Sequence, residues 1–239
     1  MKWKLVRANP IPDSEPPIVR PQERVVLTPA QQELAITSAI STWALDVFLL
    51  LDAGTGARRG ELLALRWSDV ANGVAVIARS LSQTRAGLEF KGTKTEKPKT
   101  ITLPASVIQA LEAHRKQQQE FRQQFGPDYR TDLDLIFANP DGTPLKPDSV
   151  SAAVSALFRR LKLPEGASLH TLRHSHGSHL LANGVSLPSV SKRLGHSNVY
   201  VTAAIYSHTM PGDDGEAARK WEDYQKRKGD GEFSGPRLV

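Results

Sequence analysis

The chain has 239 residues, enough for one large domain with a hydrophobic core, or for a domain of about 180 residues with flexible ends. Thirty-one Lys and Arg against twenty-five Asp and Glu give a net charge of +6 and a pI near 9.6, a balance that favours a polyanionic partner without identifying one. The absence of cysteine excludes disulfides and thiolate metal sites, no apolar run reaches the roughly 18 residues of a membrane span, and Met1-Lys2-Trp3-Lys4 does not begin a signal peptide; the expectation is a soluble cytoplasmic protein with no membrane contact.

Pro10, Pro12, Pro16, Pro17 and Pro21 rule out a continuous helix or a central strand over residues 1–26, which read as a linker and the remnant of a missing N-terminal domain. The folded part opens at Thr28-Pro29-Ala30-Gln31, where Thr caps, Pro takes the first helical position and Gln completes a capping box; the helix runs to about Ser41. Trp43 to Leu51 is strongly apolar and predicts a buried helix ending at Gly54-Thr55-Gly56, followed by a short helix from Arg58 to Leu65. Val74–Ala78, Leu88–Phe90 and Lys99–Leu103 carry β-branched and apolar residues between Gly, Thr and Lys clusters, the pattern of a small antiparallel sheet. A Gln-rich helix is expected from Ala105 to about Gln124, a turn at Asp141-Gly142-Thr143-Pro144, and a helix capped by Asp148 or Ser149 that reaches Leu161. Further helices follow at His170–Ala182, Leu187–Leu194 and Val199–Tyr206, divided by Asn183-Gly184 and Gly195. Beyond Met210, Glu216–Lys228 is an amphipathic helix candidate ahead of a Gly-rich tail expected to be disordered. The sum is an α+β domain, mainly α-helical, with one small sheet over residues 27–210 and a C-terminal segment at 211–239.

His170, His174, His176 and His179 cluster around Arg173. On a helix His170 and His174 share a face, as paired zinc ligands do, but position 171 is Thr where a metal hydrolase of the H-E-x-x-H type needs Glu. Several His packed with an Arg repel one another once charged, and an anion between them relieves that repulsion.

The run His170-Thr171-Leu172-Arg173-His174, then Leu194-Gly195-His196-Ser197, then Ile205-Tyr206-Ser207-His208 resembles the second signature box of the tyrosine recombinases, the phage-integrase family. Thr55-Gly56-Ala57-Arg58-Arg59-Gly60-Glu61-Leu62, followed by Leu65-Arg66-Trp67-Ser68-Asp69, resembles the first box, and the resemblance spans about residues 27–210. It implies the DNA breaking-rejoining catalytic fold and strand transfer through a covalent 3′-phosphotyrosine, without metal, ATP or other cofactor.

Carried over by position, the resemblance makes Tyr206 the nucleophile, whose phenol of pKa near 10 needs a base or strong positive charge beside it. Arg58 and Arg173 grip the non-bridging phosphate oxygens, His170 holds or accepts the tyrosine proton, and His196 donates to a phosphate oxygen. Lys94, five residues before Lys99, protonates the leaving 5′ oxygen, with Lys91, Lys97 and Lys99 as rivals on the same hairpin. Arg59 stands as the alternative to Arg58 and Tyr200 to Tyr206; Glu61 is an acid that orients an arginine, and His174 and His176 support. The partners implied are double-stranded DNA, a homotetramer of the full-length protein on two DNA sites, exchange of C-terminal segments between neighbours, and accessory DNA-bending or excision factors. A type IB topoisomerase shares the chemistry, while a non-catalytic DNA-binding module and a metal hydrolase are the readings from other classes.

Overall fold

The computed structural model describes residues 25–92, 98–206 and 214–229. Most of the proline-rich segment, Lys94, Lys97, His208 and the Gly-rich tail lie outside the described residues.

Thr28 opens α1 (Pro29–Thr37) with a complete capping box: its hydroxyl accepts from the Gln31 amide, and the Gln31 side chain accepts from Thr28 N at 2.9 Å. The helix stops before the expected end near Ser41, because residues 38–44 turn and Ala44 takes a left-handed φ of 60°. Helix α2 (Leu45–Thr55) buries Leu45, Val47, Phe48, Leu49 and Leu51, and a helix apolar around most of its circumference belongs inside the domain. Gly56, at φ 62°, ends it. The next helix, α3 (Arg59–Leu63), is shorter than expected, with Arg58 as its extended N-cap.

The strands depart from the expected single sheet. Strands β1 (Val70–Ala71), β2 (Val74–Ile77) and β5 (Lys99–Thr102) form a three-stranded antiparallel sheet in the order β1-β2-β5, with Ala75 opposite Ile101. Strands β3 (Arg79–Thr84) and β4 (Gly87–Gly92) form a separate hairpin with Leu81 opposite Phe90. The sequence hides β3 because only Leu81 of Arg79-Ser80-Leu81-Ser82-Gln83-Thr84 is buried, so the strand lacks an apolar alternation.

Helix α4 (Ala105–Phe125) turns its buried His114 and Gln118 to the irregular segment after it: His114 Nε2 lies 2.8 Å from the Ile136 carbonyl, and Gln118 donates to the Leu135 carbonyl at 3.1 Å. Helix α5 (Pro147–Arg160) starts at Lys146-Pro147 rather than at a cap on Asp148 or Ser149, since proline at the first position lacks only an N–H that would be unbonded there. Then come α6 (Leu169–Ala182), capped by Ser168, α7 (Leu187–Leu194), α8 (Val199–Tyr206) and α9 (Asp214–Gly229). One core joins α2, α3, the three-stranded sheet, α5 and the first turn of α6; a smaller one holds Leu181, Val190, Leu194 and Tyr206 together. Between the two cores α2, α6 and α7 meet, and their ends frame the candidate site. None of the described helices is long and apolar enough to cross a membrane.

Candidate active site

The last carbonyls of a helix have no partner within it and, once buried, must find donors elsewhere. At the end of α2 the Leu51 carbonyl accepts from the Thr55 hydroxyl, Asp52 from Gly56 N, Ala53 from the His176 ring, and Gly54 and Gly56 from the guanidiniums of Arg193 and Arg173. Residues of α6 and α7, more than a hundred positions away in sequence, therefore cap α2 immediately before Arg58.

Arg173 is 6% exposed and donates to two neutral carbonyls, Gly56 and, at 2.7 Å, Leu194. Burial lowers its pKa, and the nearby Arg58 charge lowers it further. Two buried carboxyls, Glu61 and Asp52, lie near enough to raise it; burial holds Asp52 well above the usual carboxylate range despite the pull of Arg173, and its Oδ1 has no hydrogen-bond partner among the described residues. Burial thus works against ionisation of Asp52, and the Arg173 pull works for it.

Arg58 donates to Glu61 Oε1 at 2.9 Å, and Lys99 donates to Glu61 Oε2 at 2.7 Å. Burial works to raise the Glu61 pKa, but Lys99 and Arg58 together hold it below its ordinary value. Lys99 also lies 3.4 Å from the Leu194 carbonyl that Arg173 shares. Hydrogen bonds therefore run without a break from Arg58 through Glu61, Lys99 and Leu194 to Arg173. Arg58 and Lys99 share the Glu61 carboxylate, while Arg173 donates to neutral carbonyls.

Gly195, at φ 68°, ends α7 and delivers His196 to the same place. His196 Nδ1 lies 2.7 Å from the Thr202 hydroxyl, and its pKa is lowered to about 4, by burial first and then by Arg173, Arg58, His174 and Lys99. Tyr206, at the end of α8, is 1% exposed. Its ring rests on Gly177, where a Cβ would fall 2.5 Å from the phenolic oxygen, and that oxygen is 3.4 Å from His174 Nδ1.

The structure thus gathers Arg58, Arg173, His196 and Tyr206 from four separate segments. His170 stands at the exposed start of α6, one turn before His174. Arg59 turns away, donating to the Pro147 carbonyl at 3.0 Å and to Ser151 on α5. Tyr200 is 84% exposed on α8. Lys99, named only as a rival in the sequence, is a partly buried member of the cluster; its spacing from the arginines carries no signal of that. Among the described residues no three His, Asp or Glu converge as metal ligands.

Two partly buried histidines with depressed pKa set an acid sensitivity. His176, like His196, has its pKa lowered to about 4, by burial and then Arg193. A depressed histidine stabilises the fold fully above its unfolded pKa near 6.5 and loses that contribution as pH falls toward 4. Glu61 remains ionised over most of this window. The Tm is expected to fall between pH 6.5 and 4.5 with a slope that is shallower in His176→Gln; an equal slope would remove His176 as a source.

Residues 26–212 match the sequence model of the phage integrase family. The chain is 30% identical over 210 residues to a tyrosine recombinase XerC-like protein of Caldanaerobacter subterraneus subsp. tengcongensis, covering 80% of this chain and 53% of that protein. It is 31% identical over 173 residues to the ICEBs1 integrase of Bacillus subtilis, covering 71% and 46%. Among solved structures, the Tn1549 transposon integrase in complex with transposon right end DNA superposes with a TM-score of 0.72 at 21% identity, covering 92% of this chain and 72% of that one. XerA recombinase gives a TM-score of 0.63 at 19% identity, covering 86% and 66%. The chain spans about half the length of the relatives it matches.

Proposed function

The chain belongs to the phage integrase family, and from that premise we propose that it is the catalytic part of a site-specific tyrosine recombinase that cuts and rejoins DNA through a 3′-phosphotyrosine link. The observation that carries this reading is the connected cluster of Arg58, Lys99 and Arg173 beside His196 and Tyr206, in which Arg173 is buried and donates to backbone carbonyls. A buried guanidinium bonded only to carbonyls is costly in isolation, and a bound anion offsets that cost.

In the reaction the Tyr206 oxygen attacks the scissile phosphorus, a bond to the 3′-linked phosphate forms, and the bond to the 5′ oxygen breaks. Arg58 and Arg173 hold the two non-bridging oxygens as negative charge builds on them. His196 donates to one of those oxygens, since approach of the phosphate raises its depressed pKa. His170 takes up or holds the phenolic proton, with His174 nearest the resting hydroxyl. Lys94 protonates the departing 5′ oxygen. One phosphodiester replaces another, so bond energy is conserved and the cycle needs neither ATP nor metal. Attack requires the phenol to leave its seat on Gly177, where it is closed to a phosphate.

The substrate is double-stranded DNA in the cytoplasm, gripped also by surface Lys and Arg, so that binding weakens steeply with salt. The full-length protein works as a homotetramer on two sites, with accessory DNA-bending or excision factors setting direction and α9 as the element exchanged between neighbours. The test is incubation with nicked suicide duplexes bearing a randomised core: a denaturant-stable protein–DNA complex is expected with or without chelator. No complex, or one restored only by added metal, would overturn the reading. With a bridging 5′-phosphorothiolate, whose sulfur leaves without a proton, Lys94→Ala is expected to recover from a loss of about a hundredfold to near the wild-type rate. Recovery in Lys99→Ala instead would move the general acid.

A further inference from the structure

His176 and Arg193 take no part in the chemistry above, yet they meet at the junction of four segments. Arg193, three residues before His196, donates through Nε to His176 Nε2 at 2.9 Å, to the Gly54 carbonyl at 2.8 Å, and to the Thr102 carbonyl at the end of β5 at 3.3 Å. His176, three residues after Arg173, reaches the Ala53 carbonyl through Nδ1 at 2.8 Å. A guanidinium can only donate, so Nε2 must accept, and the ring proton must lie on Nδ1 and point to Ala53. The pair therefore exists in one neutral tautomer. Packing encloses it: a Cβ on Gly56 would fall 2.9 Å from His176 Cδ2 and 2.7 Å from Leu194 Cδ2.

We propose that His176 and Arg193 are positioning residues, a clamp that holds the end of α2 against α7 and so sets the spacing between Arg58, which follows α2, and His196, which follows α7. The clamp touches no reacting atom. It rests on the recombinase reading, because what it positions are two groups assigned to one phosphate. The cation end of the clamp sits where the α2 carbonyls concentrate negative potential, and its planar fork serves two carbonyls and a ring nitrogen at once, which a lysine cannot do. A misplacement of about 1 Å between groups that must act together costs roughly a hundredfold in rate.

The experiment measures, on the same nicked duplexes, single-turnover formation of the covalent complex and the DNA Kd for Arg193→Met, Arg193→Lys, His176→Leu and His176→Gln. The expected result is a 10- to 100-fold slower cleavage step in Arg193→Met and His176→Leu with Kd within about threefold of wild type. Partial return of rate is expected in Arg193→Lys, and fuller return in His176→Gln, which carries both a donor and an acceptor. Wild-type cleavage rates in the folded Met and Leu variants, or a loss confined to Kd, would overturn the proposal. Should the variants unfold, long-range 1H–15N spectra of histidine-labelled wild-type protein decide: a neutral His176 with its proton on Nδ1 at pH 7 supports the clamp, and a proton on Nε2 or a charged ring refutes it. If wild-type protein forms no covalent complex, the recombinase reading fails, while the same spectra still show whether the pair is built as described.

Discussion

Tyr206→Phe is expected to form no covalent complex on a nicked duplex, with cleavage slowed by about ten-thousandfold or more, while the protein stays folded and binds DNA as before. The substitution removes one atom. In the resting structure that atom makes a contact of 3.4 Å to His174, too long to be a strong hydrogen bond, and the ring is held by Gly177, Leu181, Val190 and Leu194. The apolar seat of the ring is unchanged, so the stability cost is that of a typical hydrogen bond, about 1 kcal/mol. The chemical cost is large, because phenylalanine has no oxygen to attack with, and the Thr202 hydroxyl, also on α8, is engaged with His196. Tyr200→Phe provides the contrast: its side chain is exposed on the same helix, so cleavage at the wild-type rate is expected. A complex formed at the wild-type rate by Tyr206→Phe would show the nucleophile to be elsewhere.

The second large effect is at Arg173. Arg173→Lys retains a charge but cannot serve the Gly56 and Leu194 carbonyls and still present a fork to two phosphate oxygens. Loss of one preorganised donor to a developing anion costs roughly a hundred- to a thousandfold in rate, and Arg173→Lys is expected to fall in that range. Arg173→Ala goes further, since it also leaves the buried Gly56 carbonyl without its donor, at about 1–3 kcal/mol, and the Leu194 carbonyl with only the 3.4 Å contact from Lys99. Its Tm should drop as well as its rate. A rate unchanged in Arg173→Lys would detach Arg173 from the phosphate.

What the sequence made legible follows from how each feature is encoded. The helices from α2 onward carry apolar faces, glycine ends and capping residues, which are local, so their existence and order could be read directly. Arg58, Arg173, His196 and Tyr206 were legible only because they sit in motifs of fixed spacing, and their meeting place depends on packing that no local pattern states. Lys99 and Glu61 are 38 positions apart and pair because β5 returns beside α3; nothing in either segment announces it. The His176–Arg193 pair was equally hidden, since its targets are backbone carbonyls at the end of α2, which any sequence would present. Strand β3 escaped because a half-exposed hairpin needs little apolar patterning, and the first helix ended early because its boundary is set by the turn into Trp43 rather than by a glycine or proline. Lys94 rests on spacing alone, as it lies outside the described residues.

The most direct measurement is of the bond itself. Digestion of the trapped protein–DNA complex with protease and nuclease, followed by mass spectrometry, identifies the residue that carries the nucleotide. A 3′-nucleotide on Tyr206, and on no other residue, is the expected result; a nucleotide on Tyr200 or on a serine, or a 5′-linked adduct, would contradict it.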